Sequence, residues 1–198
     1  MIRAILAGTK TQTRRLCKPE WLRCLDPDDA EDRAQAIARC PYGAPGDRLW
    51  VKEKWATSVA CDDRFPPHGQ RWPVWYRADG DVLFTGARHG GPAFTTPGKT
   101  RVSINMPRWA SRITLELTDV RVERVQSISE ADIAAEGVTA EAAIDLFFDK
   151  RPVGVLMPLA RSMRPIDAWR IVWSTINGAE SWGSNPWVWV LGFRRVES

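Results

Sequence analysis

Apolar and polar positions along the chain alternate between the two periods that mark helices and strands. Ile2, Ile5 and Leu6 stand at helical spacing, and Gly8 follows where a helix reverses into a left-handed cap. Thr11, Thr13 and Arg15 then alternate as in a strand and share one face, with Lys10 on the turn between. Residues 26–39 are charged and alanine-rich and predict an exposed helix; 41–46 predict a turn into a strand over 48–54. Ala78-Asp79-Gly80-Asp81 between Trp75-Tyr76-Arg77 and Val82-Leu83-Phe84 has the pattern of a hairpin. Ile113, Leu115 and Leu117 share a face, and Val120 and Val122 resume after the Thr118-Asp119 break. That segment, 113–125, reads as a long bent strand or a hairpin. Ser127-Ile128-Ser129-Glu130 signals a helix start with Glu130 in a capping box, and the helix ends at Gly137. A second helix is expected over 140–148, a loop over 154–164, and a secure helix over 165–176 stopped by Asn177-Gly178. The apolar stripe of that last helix, Ile166, Trp169, Val172, Trp173 and Ile176, reads as core packing. A strand with alternating aromatics, 187–196, closes the chain.

These elements predict an α+β fold, a small mixed β-barrel with short helices around it. With 198 residues, one domain with insertions is favoured over two. The stretch 61–100, rich in Gly, Pro and polar residues, is the expected insertion. Composition adds 11 tryptophans, enough for the core with some left to stack on bases, and a net charge of +4 that permits a polyanionic partner without demanding one. No apolar run reaches the length of a membrane span and no secretory leader is present, so the expected compartment is the cytoplasm, with no membrane partner. Cys17, Cys24, Cys40 and Cys61 form no C-x-x-C pair, which argues against a zinc finger. They read as reduced thiols; three cysteines with His68 or His89 are the alternative, a metal site. No cofactor and no metal are expected.

The densest chemistry lies between Gly8 and Arg15, where a lysine, hydroxyls and an arginine reach one small region. The second informative residue is Glu136, just ahead of Gly137. A carboxylate at a helix C-terminus meets the negative end of the dipole, which raises its pKa and suits a general acid or base near neutrality. Gly98-Lys99-Thr100 imitates the end of a P-loop, but Ala93 stands where the first glycine belongs, which excludes that motif. Neither G-x-S-x-G nor H-E-x-x-H occurs.

Gly8-x-Lys10-Thr11-x-Thr13-x-Arg15 resembles the G-x-K-T-x-T-x-R signature of ASCH domains, in the PUA-like superfamily. Pro45-Gly46-Asp47-Arg48-Leu49-Trp50-Val51 resembles the family's G-D-x-L-x-V segment, and Ala135-Glu136-Gly137-Val138 its later A-E-G. The stretches at 40–43, 106–112 and 185–190 resemble those of longer, phage- or prophage-type members. Those members carry a further strand ahead of the motif, whereas this sequence begins at the helix, either because the start is shorter or because an upstream segment is left off; absence of the strand would expose an edge and open the pocket.

The resemblance implies a PUA-like barrel that recognises a modified nucleobase, nucleoside or RNA. Its sharpest form is removal of the acyl group from N4-acetylcytidine, as in the small ASCH amidohydrolases. Their triad falls on Lys10 as base, Thr13 as the attacking hydroxyl and Glu136 as the group that manages protons to the leaving amine. Arg15, Thr11 and Trp50 are the implied substrate contacts, with Arg15 holding the base or the oxyanion. The alternative is an RNA or single-strand binding protein or ribonuclease, using Arg14, Arg108, Trp109 and Arg112 with Lys99 and Arg101. A third reading is a non-catalytic phage interaction protein.

Overall fold

In a computed structural model, residues 1–18, 20, 26–63, 72–83, 96–147 and 162–196 are described. The fold is α+β: a curled, open half-barrel sheet with short flanking helices. The chain forms two compact units. The first holds Met1, Arg3–Asp47 and Glu116–Arg194; the second holds Ile2, Arg48–Leu115 and residues 195–198.

The first unit begins with α1 (Ile2–Leu6) and β1 (Gln12–Leu16), then the exposed helix α2 (Ala30–Ala38), whose N-terminal amides are capped by the Asp29 carboxylate. After β2 (Arg48–Trp50), β3 (Trp55–Ala56), β4 (Val74–Tyr76) and β5 (Val82–Leu83) of the second unit come β6 (Thr114–Arg124), α3 (Glu130–Ala135), α4 (Ala140–Phe147), α5 (Pro165–Asn177) and β7 (Trp187–Val196). The curled sheet has the order β1-β7-β6-β2. β1 pairs antiparallel to β7 with Thr13 opposite Leu191 and Arg15 opposite Trp189. β6 is one strand, and its buried positions change phase at Thr118-Asp119, from Leu115 and Leu117 to Val120 and Val122. Gly192 makes room for that slip. A Cβ there would lie 3.1 Å from Thr118 Oγ1 and 3.2 Å from Asp119 Cβ.

The core of this unit is Val125, Ile128, Ile133, Trp169, Trp173, Val188 and Val190, with Ile166 and Val172 packed on it. α5 owes its position to this stripe, and α3 and α4 both pack against it. Ile176 departs from the expected stripe: it is 56% exposed. The start of α3 also differs from the pattern reading. Ser129, not Ser127, is the N-cap; Asp132 N–H donates to Ser129 Oγ at 3.1 Å, and Ser129 Oγ–H donates to Asp132 Oδ2 at 3.0 Å. The reciprocal partner is therefore Asp132 rather than Glu130, because the 3₁₀ turn at Val125–Ser127 delays the helix.

The second unit holds β2 (Arg48–Trp50), β3 (Trp55–Ala56), β4 (Val74–Tyr76) and β5 (Val82–Leu83), the last three forming a sheet in that order. β2 is shorter than the expected 48–54 strand; Glu53 N–H turns instead to the Met106 sulfur at 3.3 Å. The expected hairpin forms, with Val74 opposite Leu83 and Gly80 at φ +82° in its turn. Trp55, Val74, Tyr76, Met106 and Ala110 make the core of this unit. The expected 154–161 part of the loop, along with Cys24, His68 and His89, lies outside the described residues. No helix among the described residues is long and apolar enough to cross a membrane.

Candidate functional site

Two glycine turns in the first unit bring the ends of two short helices together. Gly8 leaves α1 at φ +72°, and the amides of Thr9 and Lys10 both donate back to Ala4 O, at 2.9 and 3.1 Å. The chain doubles back and presents Lys10 beside the C-terminus of α3. Gly137 leaves α3 at φ +67°, and Thr11 N–H donates to Ala135 O at 2.8 Å. A Cβ on Gly137 would lie 3.0 Å from Lys10 Cβ and 3.2 Å from Ala4 Cβ, so the close approach depends on glycine. Lys10 Nζ then donates to both Glu136 O and Glu136 Oε2, each at 2.7 Å. One ammonium thus caps the helix carbonyl and neutralises the carboxylate that the helix dipole disfavours. Burial lowers the Lys10 pKa, opposed by Glu136 and reinforced by the charges of Arg15 and Arg14.

Arg14 is the second cation on Glu136. Its side chain is fully buried, with Nη1 3.5 Å from Glu136 Oε1 and Nη2 at 3.1 Å from Glu123 Oε2 and 3.2 Å from Asp132 Oδ2. Its guanidinium also sits 6.0 Å from the Trp169 ring centroid. Arg121 closes the network from outside, binding Glu123, Asp132 and the Gln12 amide oxygen. Lys10, Arg14 and Arg121 therefore face Glu136, Glu123 and Asp132. Removing one of the buried members, Lys10, Arg14 or Glu136, costs about 3–5 kcal/mol, since an uncompensated buried charge remains.

A cavity of about 270 Å³ opens on this network. Its polar lining is Lys10, Thr13, Arg14, Arg15, Glu136 and Asn177; its apolar lining includes Val138, Leu146, Trp169, Val172, Trp173 and Ile176. The stripe of α5, read from sequence as core alone, is also a wall of this cavity. Thr13 is half-buried and its hydroxyl makes no hydrogen bond among the described residues. The volume is just below the roughly 300–1,000 Å³ typical of small-molecule sites.

The remaining sequence-predicted residues fall elsewhere. Thr11 is exposed, is not part of the cavity lining, and contributes its backbone to Ala135 and Phe193. Arg14, expected as a phosphate contact, is held inside by three carboxylates, because β1 turns Gln12 and Arg14 inward. Trp50 belongs to the second unit, where Lys52 Nζ stands 4.9 Å and Arg108 Cζ 6.0 Å from its ring centroid. Trp109 packs on the core of that unit, edge-on to Trp55. Arg112 is also spent: it binds Glu53, Asp79 and Asp81 and lies 4.0 Å over the Tyr76 ring. Arg101 donates to the carbonyls of Cys61 and Asp62, and Lys99 pairs with Asp63. Glu123, Asp132 and Arg121 were missed by the sequence reading. Their signal is the alternation of β1, which puts a charged Arg14 on the inward face and so demands carboxylates there. Among the described residues no group of three His, Cys, Asp or Glu side chains is placed to hold a metal ion.

Compared with protein-family models, with curated proteins and with solved structures, the chain matches none.

Gly137→Ala is expected to destabilise the first unit by about 1–2 kcal/mol from the left-handed backbone alone, with more from the crowding of Lys10. Urea denaturation measures it, and an unchanged midpoint would show that the glycine turn does not hold the pair together. A second expectation concerns acid. Burial pushes the Asp132 carboxyl up, but the Ser129 hydroxyl and the charges of Arg14 and Arg121 outweigh it and hold it below its ordinary value. Its contribution to stability is complete above the unfolded pKa of about 3.9 and is lost as the pH falls through the folded value. Acid titration followed by circular dichroism should show a shallower loss below that pH in Asp132→Asn than in wild type; equal slopes count against the linkage.

Proposed function

We propose that the first unit is a PUA-like, ASCH-type domain that recognises a modified nucleobase or nucleoside and hydrolyses an N-acyl group, with an N4-acylcytidine as its substrate in the cytoplasm. What carries the reading is the single cavity lined by Lys10, Thr13, Arg15 and Glu136, although Lys10 and Glu136 are 126 positions apart. Indole and aliphatic side chains line the same cavity and suit a planar base.

Burial makes the Lys10 ammonium readier to release its proton, and Glu136 Oε2 stands 2.7 Å away to take it. The neutral amine then accepts the Thr13 hydroxyl proton as the oxygen attacks the acyl carbon. The Lys10 ammonium re-formed by that transfer stabilises the oxyanion. The carbon–nitrogen bond breaks as Glu136 returns a proton to the departing 4-amino group. Water completes the cycle by hydrolysing the threonyl ester, so that amide and water give amine and carboxylic acid.

Incubation with N4-acetylcytidine, read by mass-resolved chromatography, tests the reading. Wild type should release cytidine, and Thr13→Val should lower the rate by at least about 100-fold with the fold retained. This variant is preferable to Lys10→Ala, which strands the buried Glu136. No cytidine from wild type, or equal rates in the two proteins, would refute it.

A second reading, single-stranded nucleic-acid binding, is favoured by Lys52 and Arg108 over Trp50 in the second unit, since neither cation has a carboxylate partner among the described residues. Arg108→Ala should then weaken oligonucleotide binding and reduce the slope of log affinity against log salt by about 0.7. Salt-independent binding would remove this reading.

A further inference from the structure

The cations around the cavity of the first unit are not equivalent. Lys10 is spent on Glu136, and Arg14 on Glu136, Glu123 and Asp132. Arg15 also lines the cavity, but it is exposed and has no carboxylate partner among the described residues. Its charge is felt by Lys10 on one side and Tyr42 on another. Of the three cationic side chains in the lining, Lys10 and Arg14 face carboxylates and Arg15 faces none among the described residues, so the uncompensated side-chain charge is the exposed one.

The interior is otherwise closed on itself and apolar: Arg14 Nη1 faces Glu136 Oε1 at 3.5 Å, and Trp169, Val172 and Trp173 form the wall. A neutral nucleoside answers the interior but leaves Arg15 without a counter-charge.

We propose that the ligand of this cavity is a nucleoside monophosphate, its base within the cavity and its phosphate on Arg15. The inference rests on the nucleoside reading above and narrows it to a phosphorylated substrate. An exposed arginine–phosphate contact is partly screened, which sets the expected effect at about five- to tenfold in affinity.

Tryptophan fluorescence titrations of the whole chain with cytidine, cytidine 5′-monophosphate, inorganic phosphate and a cytidine trinucleotide test it. The monophosphate should bind about five- to tenfold more tightly than cytidine at low salt, and the advantage should shrink as salt is added. In Arg15→Gln, checked for fold by circular dichroism, the two ligands should bind equally. Equal affinities in wild type, or a preference that survives in Arg15→Gln, would overturn the proposal while leaving nucleoside recognition standing. Binding of neither cytidine nor its monophosphate would overturn both. Inorganic phosphate binding as tightly as the monophosphate would reduce the site to an anion contact, and a tighter trinucleotide would assign the phosphate to a strand; either result defeats the mononucleotide.

Discussion

The structure of the first unit turns on the ion pair between Lys10 and Glu136. It is an expensive interaction to build, since both side chains are about 5% exposed and each would be costly to bury alone. Three features make it tolerable. The two glycine turns fix the distance, so little side-chain freedom remains to be lost. The ammonium serves two acceptors at once, one of them the carbonyl left open at the end of α3. The second cation, Arg14, is itself anchored by Glu123 and Asp132, so Glu136 faces a fixed positive field. A well-packed apolar pair would fill the same space at no electrostatic cost. A charged pair beside a cavity is better explained by what it does there than by stability.

The same network ties secondary structure to the site. Asp132 begins as a capping residue, answering Ser129 at the start of α3, and ends as a ligand of Arg14 and Arg121. α3 is only six residues long, too short to be stable by propensity alone. Its first turn is held by the cap, its middle by Ile133 in the core, and its last carbonyl by Lys10. A change at any of these points therefore moves Glu136.

Much of this was legible in the sequence, for identifiable reasons. Gly8 and Gly137 marked both turns, since only glycine takes those backbone angles readily, and the apolar stripe of α5 marked its buried face. The break at Thr118-Asp119 was visible as a change of phase, although one strand rather than a hairpin carries it. What could not be read was which charges meet. Arg14 and Arg112 look like surface cations by composition, yet each is surrounded by carboxylates from segments distant in sequence. Period-2 alternation tells which face a residue takes and not what it finds there. The double use of α5 was hidden for a similar reason: Trp169 and Trp173 are core on the helical wheel, and only tertiary packing makes them a cavity wall.

Charge in this protein is best read by subtraction. A net charge of +4 says little, because most cations near either core are cancelled locally. Arg14 and Arg112 both lie inside such cages and hold the fold together. Among the described residues, Arg15 at the cavity of the first unit and Lys52 with Arg108 on Trp50 in the second are cations that no carboxylate cancels. A paired cation has already spent its field on its partner, whereas an unpaired one still projects it into solvent. The exposed, unpaired cations are therefore the ones whose field is open to an anion, whereas the buried Arg14 serves to keep Glu136 and Asp132 in place and Arg112 does the same for Glu53.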